Sequence, residues 1–223
     1  MGVSEVAEQV AGAVKPKLRG WLHAGMFPVV VVASVVLVVL SPTTSARIAN
    51  SVFGVSSILL FGISAVYHRG TWSPRVTGVL RRLDHSNIFL IIAGTYTPLA
   101  VLLLSGTTRT ALLWVVWVGA LLGLLGRVLF LGAPRWVYTP IYAALGCVAL
   151  GFLPQFWDAG GPAVVWLVVG GGAAYLAGAV VYGTKRPNPS PRWFGFHEVF
   201  HSLTVVGFVC HFVAVSIATY RVG

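Results

Sequence analysis

Apolar residues run along this chain in long blocks, separated by short clusters of Arg, Lys, Pro, Ser and Gly. A helix needs about 18–24 apolar residues to cross a bilayer core, and the blocks have that length. Seven spans are predicted: Trp21 to Leu40, Ile48 to His68, Leu83 to Leu104, Thr110 to Leu131, Val137 to Leu153, Ala163 to Tyr182 and Phe194 to Thr219. The Ser41-Pro42 pair ends the first, and Pro140 and Pro154 make the fifth the least regular. The expected fold is therefore an all-α integral membrane protein, a seven-transmembrane helix bundle. Its domains would be a short tail over residues 1–19 and a single seven-span domain over 20–220.

Composition agrees with the pattern. Of 223 residues, 57% are hydrophobic and only 9% charged, against about 25% charged in a soluble domain. The mean hydropathy is +0.87. The N-terminal stretch starts acidic and has no apolar core, so it is not expected to be a signal peptide. Cys147 and Cys210 form no CxxC pattern and carry no information on compartment. Gly119 and Gly123, and the Gly170-Gly171-Gly172 run, read as close helix packing.

The net charge of +10 would elsewhere suggest nucleic acid as a partner. Here the basic residues sit at span ends, where headgroups and topology account for them, so no nucleic-acid partner is expected. Twelve Lys and Arg, including Lys15, Arg19, Arg69, Arg82 and Arg192, flank one side, and Arg47, Arg109 and Arg221 flank the other. The positive-inside rule then predicts a cytoplasmic N-terminus and an outside C-terminus, in the cell (inner or plasma) membrane. Trp21, Trp72, Trp136, Trp157 and Trp193 lie at span ends and read as interfacial anchors.

Ionisable residues inside spans point to function. The run His197-Glu198-Val199-Phe200-His201 puts two imidazoles on one helix face, the spacing at which they can grip one metal ion. With the predicted topology, span two ends at His68, span three begins near Asp84 and span seven begins near His197, all on the cytoplasmic side. Three neutral imidazoles, His68, His197 and His201, suit Zn2+ with an open fourth position, and suit copper or nickel better than magnesium. Asp84 is then the candidate acid–base group, and Ser64, one turn before His68, could hydrogen-bond it or the substrate.

Around that set, His85, Asn87 and Glu198 are candidate supporting groups. Asn87 is placed to hydrogen-bond Asp84, and Arg81 or Arg82 to form an ion pair with it. Glu198 makes the run a literal HExxH, in which zinc proteases use the Glu as general base. The pattern is short, the third ligand would lie upstream and Asp84 competes for the role. Glu198 is therefore expected to support the site or face the surface. His23 and His211 are read as interhelical hydrogen bonders. Pro98 is expected to kink span three, with Thr95 or Tyr96 satisfying the freed carbonyls.

The stretch from Ser64 to Pro98 (SAVYHRGTWSPRVTGVLRRLDHSNIFLIIAGTYTP) and the FGFHEVFHSL segment from Phe194 to Leu203 resemble the haemolysin III family of bacterial membrane proteins. That family groups with the progestin and adipoQ receptors, in a superfamily of membrane hydrolases that includes alkaline ceramidases. The resemblance covers about residues 20–220. It implies a seven-helix fold, an inside N-terminus and a zinc near the cytoplasmic face, with ligands at His68, His197 and His201, a Ser at Ser64 and an Asp at Asp84. The chain lacks the long N-terminal extension of the adipoQ receptors, and has Glu198 where they carry an amide.

The expected function is a membrane-embedded, zinc-dependent hydrolase cleaving a lipid amide or ester bond, with a membrane lipid as substrate or ligand. Two alternatives belong to other classes: a zinc-containing receptor or sensor of membrane state without turnover, and a haemolysin-type cytolytic activity. The cytolytic reading fits poorly with a chain that offers neither an export signal nor a soluble state. A homo-oligomer is compatible with the sequence, which leaves the oligomeric state open.

Overall fold

A computed structural model describes residues 15–129 and 135–221. The first part of the predicted tail (1–14), the predicted end of span four at Leu131, and the side chain of Trp136 lie outside the described residues. The helices are α1 (Trp21–Val39), α2 (Thr44–Arg69), α3 (Pro74–Leu103), α4 (Gly106–Leu129), α5 (Arg135–Gly146), α6 (Leu153–Thr184) and α7 (Phe196–Arg221), with one 3-10 segment, Cys147–Phe152, between α5 and α6.

Local chemistry sets the helix starts. Thr43 caps α2 by accepting the Ala46 N–H at 3.1 Å. Ser73 caps α3, and Pro74 occupies its first turn, where no N–H is needed. That start lies nine residues before the predicted Leu83, so α3 is 30 residues long. At about 1.5 Å per residue it spans about 45 Å and reaches well past the hydrocarbon core.

The fifth and sixth predicted spans need correction. Pro154, just past the predicted end of span five, sits in the first turn of α6, where a missing N–H costs nothing, and the irregularity expected of this span is the 3-10 segment Cys147–Phe152. The break falls instead at Gly161, whose φ of 79° and ψ of 174° leave the helical region just before Pro162. Among the described residues, six helical stretches are long and apolar enough to cross a membrane. One of them, Val137–Thr184, has 48 residues and contains both the 3-10 segment and the Gly161 break.

Neighbours in sequence pack together: α1 on α2, α2 on α3, α3 on α4 and α6 on α7. Helix α7 also touches α1 and α3, which closes the bundle around the middle of α3. Small residues allow these approaches. A Cβ at Gly123 would enter the Phe89 ring, and one at Gly171 would press on His211 and the Gly207 carbonyl. The outward faces are apolar, with Trp114, Leu122, Val39 and Val32 more than 60% exposed, as lipid contact requires. The buried polar groups lie inside, where Asn50 donates to Ser41 Oγ and Thr219 Oγ1, both at 2.9 Å, and ties α1, α2 and α7 at one end.

Pro98 removes the helical donor to the Gly94 carbonyl, and the neighbouring threonines bond other carbonyls. Thr95 and Thr97 donate to the Ile91 and Ala93 carbonyls one turn back, each at 2.8 Å. Tyr96 bridges two elements instead: its hydroxyl donates to the Gly146 carbonyl and accepts the Ala149 N–H, both at 2.6 Å. That bracket spans the junction of α5 with the 3-10 segment, where regular helical bonding lapses.

Candidate metal centre

His68 lies in the last turn of α2, and Ser64 lies one turn earlier on the same face. The end of α2 is fixed by the Gly70 N–H and the Trp72 indole, which both donate to the Val66 carbonyl. His197 and His201 occupy the first two turns of α7. The three imidazoles meet. Each offers a ring nitrogen, and these atoms all lie within 4.8 Å of one another. His197 Nε2 is 3.2 Å from His68 Nε2. His68 and His201 are buried and His197 is half-buried.

The geometry fits a metal ion. Zinc–nitrogen bonds of about 2.0–2.1 Å at tetrahedral angles separate ligand nitrogens by about 3.3 Å. The His68–His197 pair already stands at 3.2 Å. Three histidines could hold a metal ion here; three neutral nitrogens are an unsuitable set for magnesium or calcium.

Asp84 Oδ2 is 3.7 Å from His68 Nε2, on the nitrogen that also faces His197. Its side chain is 14% exposed. Among the described residues, the carboxylate thus faces the neutral His68 imidazole, where an ion pair with Arg81 or Arg82 was the alternative expectation. The Ser64 hydroxyl sits beside the Asp84 carboxylate. Both line one cavity with His68's partners His197 and His201. The cavity, about 300 Å³, leads from the cluster past Ile88, Ile92 and Leu99 of α3 and Val168 and Leu176 of α6. Fifteen residues of α3 separate Asp84 from Leu99, a rise of about 22 Å. The wall between is almost wholly apolar.

The other sequence candidates are engaged elsewhere. Asn87 donates to the Leu59 carbonyl at 3.0 Å and fastens α3 to α2, where a bond to Asp84 had been expected. His85 contacts the Arg81 carbonyl through Nδ1 at 2.6 Å and the Tyr182 hydroxyl through Nε2 at 3.2 Å. His211 bonds the Val168 carbonyl at 3.1 Å, the interhelical contact expected of it. His23 departs from the same expectation: it stacks on His201, and both its nitrogens are buried with no hydrogen-bond partner among the described residues.

Glu198 is 1% exposed and does not face the surface. One carboxylate oxygen accepts the Gly195 N–H at 2.8 Å, half of a capping box at the start of α7. The other accepts from Arg19 Nε. Arg19 belongs to a strap, residues 15–20, folded in turns by the Arg19 N–H to Pro16 carbonyl and Trp21 N–H to Leu18 carbonyl bonds, that lies across this end of the bundle. The strap pairs with the α6–α7 connection through Lys17 N–H to the Arg192 carbonyl (3.0 Å) and Leu18 N–H to the Trp193 carbonyl (3.1 Å). Lys17 Nζ stands 4.1 Å over the Trp193 ring, and Arg69 stands 3.9 Å over Trp21. Gly20, at φ 80°, turns the strap against His68; a Cβ there would come 2.7 Å from His68 Cβ. Sequence reasoning missed this strap. Its one local signal is the Gly after a basic run, Lys15-Pro16-Lys17-Leu18-Arg19-Gly20.

Comparison with known proteins reaches the same region. The family described as "Haemolysin-III related" matches residues 12–212. "Hemolysin-3" of Bacillus cereus is 27% identical over 200 residues, covering 87% of this chain and 90% of that one. "Hemolysin-3 homolog" of Bacillus subtilis (strain 168) is 30% identical over 169 residues, covering 75% and 76%. With a family match over almost the whole helical region, and relatives aligned along at least three quarters of both chains, this multi-pass membrane protein belongs to the haemolysin III family.

Proposed function

We propose that this protein is a zinc-dependent hydrolase of a lipid amide or ester bond, working at the cytoplasmic side of the cell membrane. One observation carries the reading: three imidazoles and a carboxylate from α2, α3 and α7 converge at the head of a long apolar cavity. A seven-span topology is part of this reading. A straight helix of 48 residues would run about 72 Å, more than twice the hydrocarbon core. In this reading Val137–Thr184 makes two crossings, with the Gly161 break between them. The strap with Lys15, Lys17 and Arg19, and the α6–α7 connection with Arg192, lie at the histidine end. The positive-inside rule assigns that end to the cytoplasm.

Zinc bound by His68, His197 and His201 would act as a Lewis acid toward the acyl carbonyl and make water more acidic. Water adds across the acyl C–N or C–O bond: the acyl carbon gains the hydroxyl and the leaving nitrogen or oxygen gains the proton. Asp84 carries that proton, accepting it from water and delivering it to the leaving group. Ser64 holds the Asp84 carboxylate in place. The apolar cavity takes the acyl chain and keeps bulk water from the carbonyl.

Zinc content and turnover test the proposal on detergent-purified protein. About one zinc per chain is expected, lost in His68→Ala and in His197→Ala. Unchanged zinc in both variants removes the centre. Turnover of N-acyl sphingoid and acylglycerol lipids should fall by about 10²–10⁴ in Asp84→Asn with zinc retained. A zinc-bearing protein that cleaves no lipid would favour a sensor of membrane state.

A further inference from the structure

His23 sits in the first turn of α1 and is 3% exposed. Its ring lies flat on that of His201, with centroids 3.8 Å apart and planes 8° from parallel. The Phe61 ring meets it edge-on at 4.8 Å. It lines the same cavity as Ser64, Asp84, His197 and His201. Among the described residues, neither of its buried nitrogens has a hydrogen-bond partner.

Packing alone does not account for an imidazole here. A buried polar atom left unpaired costs about 1–3 kcal/mol. A phenylalanine would stack on His201 and meet Phe61 without that cost. Buried polar groups in native proteins find partners, and one that lacks a protein partner points to a bound molecule. Nor is the missing partner the metal. His23 stands outside the set of three whose nitrogens converge. An imidazole lone pair lies in the ring plane, so two nearly parallel, stacked rings do not aim at one point. The plane of His23 runs beside that of His201, which suits a group bound next to the ion.

We propose that His23 is a ligand-binding residue of the centre, in which a ring nitrogen hydrogen-bonds the carbonyl, amide or hydroxyl group of an acyl lipid head brought to the three histidines. This rests on the metal-centre reading above and adds a fourth chain segment, α1, to ligand recognition. His23 then reads the head group while the cavity reads the chain.

The test uses Co2+-loaded full-length protein in detergent and dodecanohydroxamic acid as probe, followed by the visible Co2+ spectrum. His23→Phe keeps a flat ring on His201 and removes both nitrogens. His23→Gln restores a polar group at a similar reach. Co2+ stoichiometry should match wild type in both variants. The probe's apparent Kd should weaken about ten-fold in His23→Phe, the worth of one buried hydrogen bond, and recover at least partly in His23→Gln. Probe binding unchanged in His23→Phe overturns the proposal. Loss of Co2+ from both variants also overturns it, by making His23 part of ion retention. Failure of the wild type to take up Co2+ would instead sink the metal centre itself.

Discussion

Replacing Glu198 with Gln separates two roles that the HExxH pattern leaves mixed. In the structure both carboxylate oxygens are engaged, one by the Gly195 N–H and one by Arg19. The amide oxygen of Gln can keep the cap, but the charge-assisted bond to Arg19 is lost. That side chain is only 20% exposed, so solvent replaces the bond incompletely, and the loss is about 2 kcal/mol. The strap's other ties are two backbone hydrogen bonds and the Lys17–Trp193 contact, together about 2–3 kcal/mol. The ion pair is thus nearly half of the polar contacts that hold residues 15–20 down, beside the burial of Pro16 and Gly20. Its removal should raise the open population about 30-fold. Trypsin cleavage after Lys17 and Arg19, in the regime of rapid opening, should accelerate by a similar factor. Zinc content should stay near one per chain, and lipid turnover should stay within a few-fold of wild type. The reasoning fails if Glu198→Gln leaves cleavage of the strap unchanged while abolishing turnover by about 10²–10⁴, the signature of a lost general base.

Two further outcomes follow from single contacts. Gly20→Ala places a Cβ 2.7 Å from His68 Cβ and an L side chain at φ 80°; it should cost about 1–2 kcal/mol in denaturant unfolding and speed strap proteolysis, and an unchanged profile would refute the close approach. Tyr96→Phe removes both bonds of the hydroxyl and orphans the Gly146 carbonyl and Ala149 N–H; it should destabilise the protein by about 2–4 kcal/mol, with faster amide exchange at Ala149 than in wild type.

The spacing of apolar blocks located the membrane-spanning helical stretches up to α4 and at α7, because a bilayer imposes a length that composition alone can meet. His197 and His201 were legible as a pair for a similar reason: a separation of four residues on one helix is a local geometry. His68 and Asp84 were legible only through span order, which brings distant positions to the same depth. Span order does not give rotation about a helix axis, so it could not decide that Asn87 turns to Leu59 and His85 to Tyr182. The predicted end of span five at Leu153 lies eight residues before the Gly161 break, because a proline such as Pro154 suits the first turn of a helix as well as the stretch beyond one, and only the backbone at Gly161 marks the break.

By itself, the sequence determined that the chain is helical, membrane-spanning and equipped with paired histidines, since each of these depends on residues near one another along the chain. Only the tertiary structure decided what Glu198 and His23 do. Glu198 is taken by Arg19, 179 positions away, and His23 is laid on His201 across the α1–α7 contact. Those partners are chosen by packing between helices, whose rotations and offsets are set by the whole bundle and leave no trace in local spacing.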